Sequence, residues 1–365
     1  MKNRIVIFVV FVCCLWTMPG IVRAQLSVHQ FDQLMKKIDD VLWYEKVGDI
    51  AHVDKVILCG PPRWKESNPT SMSAGNELKF RAYIFIPKSV KENKKYPLIV
   101  FPHSGVHADM DTYYAHIIRE LIAQEYIVVA ADYRGSTGYG AGTYNNIDYG
   151  GLENEDVYIS RNYMVDNFDI VDGSRVGIMG WSHGGMITLM NLFNYPGQYK
   201  CGFAGVPVSD VIMRMGYASD SYRKIFSAKN HIGQTAKDNI AEYKRRSPVW
   251  HAEKLKDPLL IYTNTSDDDV NVVEVESMIR ALKAEGKKVG NFEIVDGWPP
   301  VLYTKSILYS CKGGRTDEHW AEYAAAAGKA GGHRPCTGGA VLWSPGRRGR
   351  GHPGAAGKMR RAAAG

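Results

Sequence analysis

The sequence predicts an α/β protein with a mostly parallel sheet and helices on both faces, and three observations carry that expectation. Short continuous apolar runs, such as PLIVFP at 97–102, have the composition of strands covered on both sides. They alternate with longer segments whose apolar residues recur at helical spacing, as Tyr114, Ile117, Ile118, Leu121 and Ile122 do within 111–124. The cycle then repeats along the chain, which is the pattern of strands joined by crossover helices.

Taken in order, 25–79 reads as a helix over 31–47 followed by irregular strands. This segment is too short for a β-propeller and is expected to pack on the main domain, 80–297. Residues 80–86 alternate apolar and polar and stop at Pro87, an antiparallel entry strand. Strand 97–102, helix 111–124 and strand 126–131 follow. The next pair is helix 153–167 and strand 175–180, then helix 184–193 and strand 202–206. A polar stretch, 209–246, reads as helices laid over the sheet edge. Strand 258–262, helix 272–285 and strand 291–295 complete the pattern. In such sheets chemistry collects at the carboxyl ends of the strands.

The two ends have a different character. Lys2 and Arg4 precede an apolar run over 5–16, with Ala24 ahead of Gln25, which reads as a signal peptide over 1–24. The run is shorter than the roughly 20 residues of a membrane span, so export to the periplasm or the extracellular space is expected, with no membrane association beyond the signal. From 298 to 365 the chain becomes an Ala/Gly/Arg-rich tail. Between Ala321 and Gly365, 23 of 45 residues are Ala or Gly. This composition has too few large apolar groups to offset ordering entropy, so a disordered or out-of-frame extension is expected. The formal charge of +7 resides in these ends, and the residues between them are net acidic. A nucleic-acid partner is therefore not expected. After removal of the signal four cysteines remain, Cys59, Cys201, Cys311 and Cys336, without metal-ligand spacing. No metal and no cofactor is implied, and the sequence does not choose a disulfide pairing.

The chemistry centres on Gly180-Trp181-Ser182-His183-Gly184, a G-x-S-x-G pattern with a strand before it and a helix after it. A sharp strand-to-helix turn brings flanking backbones together, so small residues are needed two positions either side of the serine. Ser182 is the expected nucleophile, with the His183 amide at the helix start as an oxyanion donor. A second donor is expected from the loop after strand 97–102, at His103 or Ser104. For the His103 side chain, loop packing and a direct polar role stand as equal alternatives.

Three runs, ADYRGSTGYG at 131–140, GWSHGG at 180–185 and Asp267-Asp268-Asp269-Val270, resemble the catalytic domain of the prolyl oligopeptidase family of serine peptidases over about 80–296. The resemblance implies an α/β-hydrolase fold, Ser182 as nucleophile and Asp267 as the triad acid. A calcium loop is the rival reading of the three aspartates. It fails because Val272 stands where the turn glycine belongs and Met278 where the closing glutamate belongs. Asp268 or Asp269 is expected to cap the helix that follows. The family pattern would supply the histidine in a Gly-Gly-His loop after strand 291–295. This chain instead reads Trp298-Pro299-Pro300-Val301-Leu302-Tyr303. Of the later histidines, His319 could serve as base if 299–318 folds as a long excursion, and His333 is too far along.

The leading expectation is an exported serine hydrolase that cleaves peptide bonds through an acyl-enzyme on Ser182. The alternatives are a carboxylesterase acting on small or carbohydrate acyl esters, and a catalytically impaired product lacking the triad histidine. Its partner is a peptide or acyl-ester substrate.

Overall fold

The computed structural model describes residues 27–63, 77–228, 231–265 and 267–294. The expected signal peptide, tail, 298–303 loop and His319 lie outside these residues. All eight strands of the described residues form one sheet in the order β1-β2-β4-β3-β5-β6-β7-β8. Strands β3 (Tyr96–Val100), β4 (Ile127–Asp132), β5 (Val171–Trp181), β6 (Cys201–Gly205), β7 (Leu259–Asn264) and β8 (Val289–Ile294) run parallel. Strands β1 (Ala51–Arg63) and β2 (Glu77–Pro87) form the antiparallel side.

The apolar runs are strands because both of their faces are covered. In β3, Leu98 and Val100 enter one core, and Ile99 with the following Phe101 enters the other. The first core is closed by α4 (Glu153–Asn167), α5 (His183–Asn194) and α9 (Val272–Ala284), through Val157, Leu189 and Met278 among others. The second is closed by α1 (Val28–Val47) and α2 (Ala115–Ala123), through Trp43, Ile118 and Leu121. The region expected as helices over the sheet edge contains three short ones, α6 (Val211–Tyr217), α7 (Asp220–Ser227) and α8 (Ile240–Arg245). A four-residue helix, α3 (Ala141–Tyr144), follows β4.

Two elements differ from the expectation. Helix α1 begins at Val28 rather than residue 31, because Ser27 and Gln30 form a capping box. Ser27 Oγ accepts the Gln30 N–H at 3.2 Å, and Gln30 Oε1 accepts the Ser27 N–H at 2.9 Å. The irregular strands expected before residue 79 are instead a 13-residue edge strand, β1, registered on β2 from Ala51↔Pro87 to Gly60↔Leu78. Pro61 and Pro62 are tolerated there because the register shifts between Gly60 and Arg63 on an edge strand. Cys59 is free and exposed, and Cys201 is disulfide-bonded.

Candidate active site

The site is organised by the junction between β5 and α5. Trp181, the last residue of β5, packs between Phe101 and Phe203, with ring centroids 5.7 and 5.1 Å away. Ser182 then takes φ 54° and ψ −118°, and α5 starts at the next residue. A non-glycine residue at such φ is strained, and the surroundings must hold it there. Ser182 N–H donates to Gly205 O at 2.9 Å, and Ser182 O accepts from Met186 N–H at 3.0 Å and Val208 N–H at 3.3 Å.

The flanking glycines are demanded by backbone approach. A Cβ on Gly180 would stand 2.4 Å from the Gly184 carbonyl oxygen, and one on Gly184 would stand 2.4 Å from Pro102 O. The turn is thus pressed against the backbone that leaves β3, so the loop after β3 runs beside Ser182. The His183 amide belongs to the first residue of α5, where helix N–H groups lack an intrahelical acceptor and the dipole is positive.

The His183 ring points inward, its Nε2 3.2 Å from Glu153 Oε1, and both residues are buried. Glu153 also accepts the backbone amides of Gly150 and Gly151. Burial alone would raise the Glu153 pKa, but the His183 hydrogen bond and charge, with the Glu153 and Gly150 amides, carry it below the usual carboxylate value.

The loop after β3 bears on both donor candidates. The Ser104 N–H donates to the Tyr114 hydroxyl at 3.1 Å, and Ser104 Oγ lies 2.6 Å from the same oxygen. That amide is therefore already engaged and is not a free oxyanion donor. The His103 ring is fully buried and stacked on Tyr133 at 4.1 Å. Its Nδ1 meets Ser104 O at 3.0 Å and its Nε2 meets Ser136 Oγ at 2.8 Å. Burial pushes its pKa down to about 4, and the ring packs within the loop with both nitrogens engaged by neighbouring groups.

The same loop is tied down from below. Lys36 Nζ, from the buried side of α1, donates to Met110 O at 2.7 Å and pairs with Asp132 at 3.1 Å and Asp109 at 3.7 Å. Asp132 accepts Met110 N–H at 2.6 Å and the Tyr139 hydroxyl, and Thr137 Oγ1 donates to Asp109 at 3.1 Å. Burial raises Asp109 to about 7 despite the neighbouring Lys36.

Asp267 follows β7 on the same edge of the sheet as Ser182. Trp181 is in register with Gly205, and Gly205 with Tyr262, so the ends of β5 and β7 are level. They lie two strands apart, roughly 10 Å at the usual strand spacing. The Asp267 carboxylate accepts the amides of Asp269 at 2.9 Å and Val270 at 2.8 Å. Burial outweighs these bonds and raises its pKa. The helix cap is neither Asp268 nor Asp269. It is Asn271, whose side chain accepts Val273 N–H at 3.0 Å, because it directly precedes the helix. Asp269 instead meets Arg214 at 3.3 Å.

Arg214 was invisible to sequence reasoning, as was the role of Glu153. Arg214 is buried on α6 and also reaches Glu274 at 3.3 Å and the Tyr217 hydroxyl at 2.9 Å. It joins α6 and α9 to the loop that carries Asp267. The only signal for it was a lone cation among the apolar residues of 211–217. Among the described residues no group of three His, Cys, Asp or Glu could hold a metal ion.

A mostly parallel sheet covered on both faces, with a strained serine at a strand-to-helix corner and a carboxylate two strands along, defines an α/β-hydrolase. The sequence matches the prolyl oligopeptidase family over residues 112–295, half of the chain, and the chain belongs to that family. It is 26% identical over 252 residues to acylamino-acid-releasing enzyme 1 of Oryza sativa subsp. japonica, covering 66% of this chain and 32% of that protein. It is 28% identical over 208 residues to the uncharacterized peptidase YuxL of Bacillus subtilis, covering 56% of this chain and 31% of that one. The chain thus spans about a third of the length of these curated relatives. The fold also matches the acylaminoacyl peptidase of Pyrococcus horikoshii, with TM-score 0.58 and 19% identity over 79% of this chain and 42% of that one.

Proposed function

We propose that this chain is an exported serine hydrolase that cleaves peptide bonds through an acyl-enzyme. In this reading Ser182 Oγ attacks the scissile carbonyl and its proton passes to a histidine. The oxyanion is stabilised by the His183 amide, and the histidine then protonates the departing amine. Asp267 orients that histidine and stabilises it when charged. The observation that carries the proposal is the strained Ser182 corner, level in the sheet with the end of the strand before Asp267. Family membership supports peptides as substrates, and the acylamino-acid-releasing relatives suggest peptides with a blocked amino terminus.

The base is assigned to the chain beyond Ile294, where His319 is the first histidine. His103 and His183, close to Ser182 in the fold, are buried and hydrogen-bonded to other groups. The proposal is tested with a fluorophosphonate probe on wild type, Ser182→Ala, Asp267→Asn and His319→Gln. Labelling of wild type that is lost in Ser182→Ala and strongly slowed in the other two supports it. Labelling untouched by Ser182→Ala, or none in wild type, overturns it. Turnover of short acyl esters without turnover of N-acylated or proline-containing peptide amides would assign the site to an esterase instead.

A further inference from the structure

Helix α1 is inside out. The side facing the body carries Lys36, buried, and Asp39 and Asp40, half-buried, with Trp43 and Val47 as its apolar anchors. The opposite side carries Val28, Phe31, Leu34, Met35, Ile38 and Val41, which are 66%, 43%, 50%, 46%, 46% and 68% exposed. Their spacing of three and four residues puts them on one stripe. A single exposed leucine needs no explanation, but six large apolar side chains in one row do. At roughly 150–200 Å² for a fully exposed side chain, the stripe presents on the order of 500–600 Å², the upper end of the ~300–600 Å² of a monomer's largest apolar patch, which is often functional.

We propose that this stripe is the contact face between two copies of this chain, packed as an antiparallel helix pair about a twofold axis between Leu34 and Met35. The sequence of the stripe is symmetric about that point. Reversing the helix sets Val28 level with Val41 of the other copy, Phe31 with Ile38, and Leu34 with Met35. A twofold contact requires such self-complementarity, since the same patch serves both copies, whereas a different partner would not demand it. The area also fits. Two stripes with their polar rim, including Gln30, Gln33 and Lys37, approach the roughly 1,200 Å² total at which specific interfaces begin. The buried face of α1 is fixed to the body by Lys36 and Trp43, so the outward stripe is presented on a rigid support.

Sedimentation of the full chain across the micromolar range tests the proposal. A dimer is expected, and Phe31→Glu with Ile38→Glu should weaken it at least ~100-fold without lowering the unfolding temperature of the monomer. In a Cys59→Ser background, oxidation of Leu34→Cys should give a covalent dimer. Val28→Cys should not, because the two copies of residue 28 would stand about 20 Å apart along the helix pair. A monomer throughout, a dimer that survives the double substitution, or crosslinking at 28 in place of 34 overturns the proposal. So does a monomer that binds phosphatidylglycerol vesicles through the stripe, which would assign it to a membrane surface.

Discussion

Gly184→Ala is the sharpest test of the strand-to-helix corner. The added Cβ would stand 2.4 Å from Pro102 O and 2.7 Å from His103 O, where ordinary contact begins at roughly 3.5 Å. Both neighbours are backbone, so about 1 Å of movement must come from the end of β3 or the start of α5. Overpacking of this kind costs ~1–3 kcal/mol, and a double backbone contact belongs at the upper end. Alanine recovers roughly 1 kcal/mol of helix propensity, leaving a net loss of about 2 kcal/mol. For a domain of this size that lowers Tm by about 4–8 °C. Gly216→Ala is the matched control, since its Cβ would meet nothing within 4 Å on α6. It should gain up to ~1 kcal/mol. Calorimetric melts of the two variants beside wild type give the answer, and the fluorophosphonate labelling rate gives a second reading. A shift of the loop by about 1 Å should slow labelling on the order of 100-fold. A Gly184→Ala protein that melts at or above wild type, or a Gly216→Ala protein that falls equally, refutes the claim that close packing at this corner demands glycine.

Ser182→Gly should unfold about 1 kcal/mol later than Ser182→Ala, because only glycine adopts φ 54° without strain. Equal stability in denaturant titrations would mean that the corner stores no strain. The pH limb of stability should report His103. Its folded pKa of about 4 lies below the unfolded 6.5, so the unfolded chain binds the extra proton between these values. The contribution is present above pH 6.5, is lost as pH falls towards 4, and amounts to about 3 kcal/mol at 1.36 kcal/mol per unit. His103→Asn should make that limb shallower, the remainder coming from His231, which burial also lowers to about 4, and an unchanged slope would show that the His103 ring is not held neutral. Lys36→Met should cost about 3–5 kcal/mol by leaving Asp132 buried without its cation. Asp132→Asn in the same chain should return part of the loss, and strict additivity of the two would deny the pair.

Much of the sheet was legible because β3, β4 and β6 are buried on both faces, and a continuous apolar run has few other uses. The corner was legible for a local reason, since Gly180, Ser182 and Gly184 are spaced two residues apart and constrain one another directly. Strand β1 was not legible. An edge strand with one pairing partner tolerates Asp54, Lys55 and Pro61, which blur its alternation. The side-chain partners of the loop after β3 were not legible because they are remote. Tyr114 takes the Ser104 amide from ten residues away, and Ser136 meets the His103 ring from thirty-three. Glu153 with His183, and Arg214 with Asp269, are likewise joined only by the fold. Asn271 displaced the expected aspartate caps because the helix start sat where the apolar spacing put it, one residue after an asparagine.

The strain at Ser182 has to be offset, and the offsets lie in the sheet rather than in the triad. A residue at φ 54° costs of order 1–3 kcal/mol. Against this stand the Ser182 amide bound to Gly205 O on β6, its carbonyl bound by Met186 and Val208, and Trp181 wedged between two phenylalanines. Gly205 and Phe203 belong to β6 and Met186 to α5, and Phe101 and Val208, which follow β3 and β6, are themselves buried in the core. The Glu153–His183 contact holds the next residue from the opposite side, through a carboxylate itself pinned by two backbone amides. None of these groups is a histidine base, and none lies beyond β8. The corner is therefore built by residues 101–103 and 150–208, with its geometry independent of which histidine completes the triad, and substituting the base should abolish turnover while leaving the stability difference between Ser182→Gly and Ser182→Ala in place.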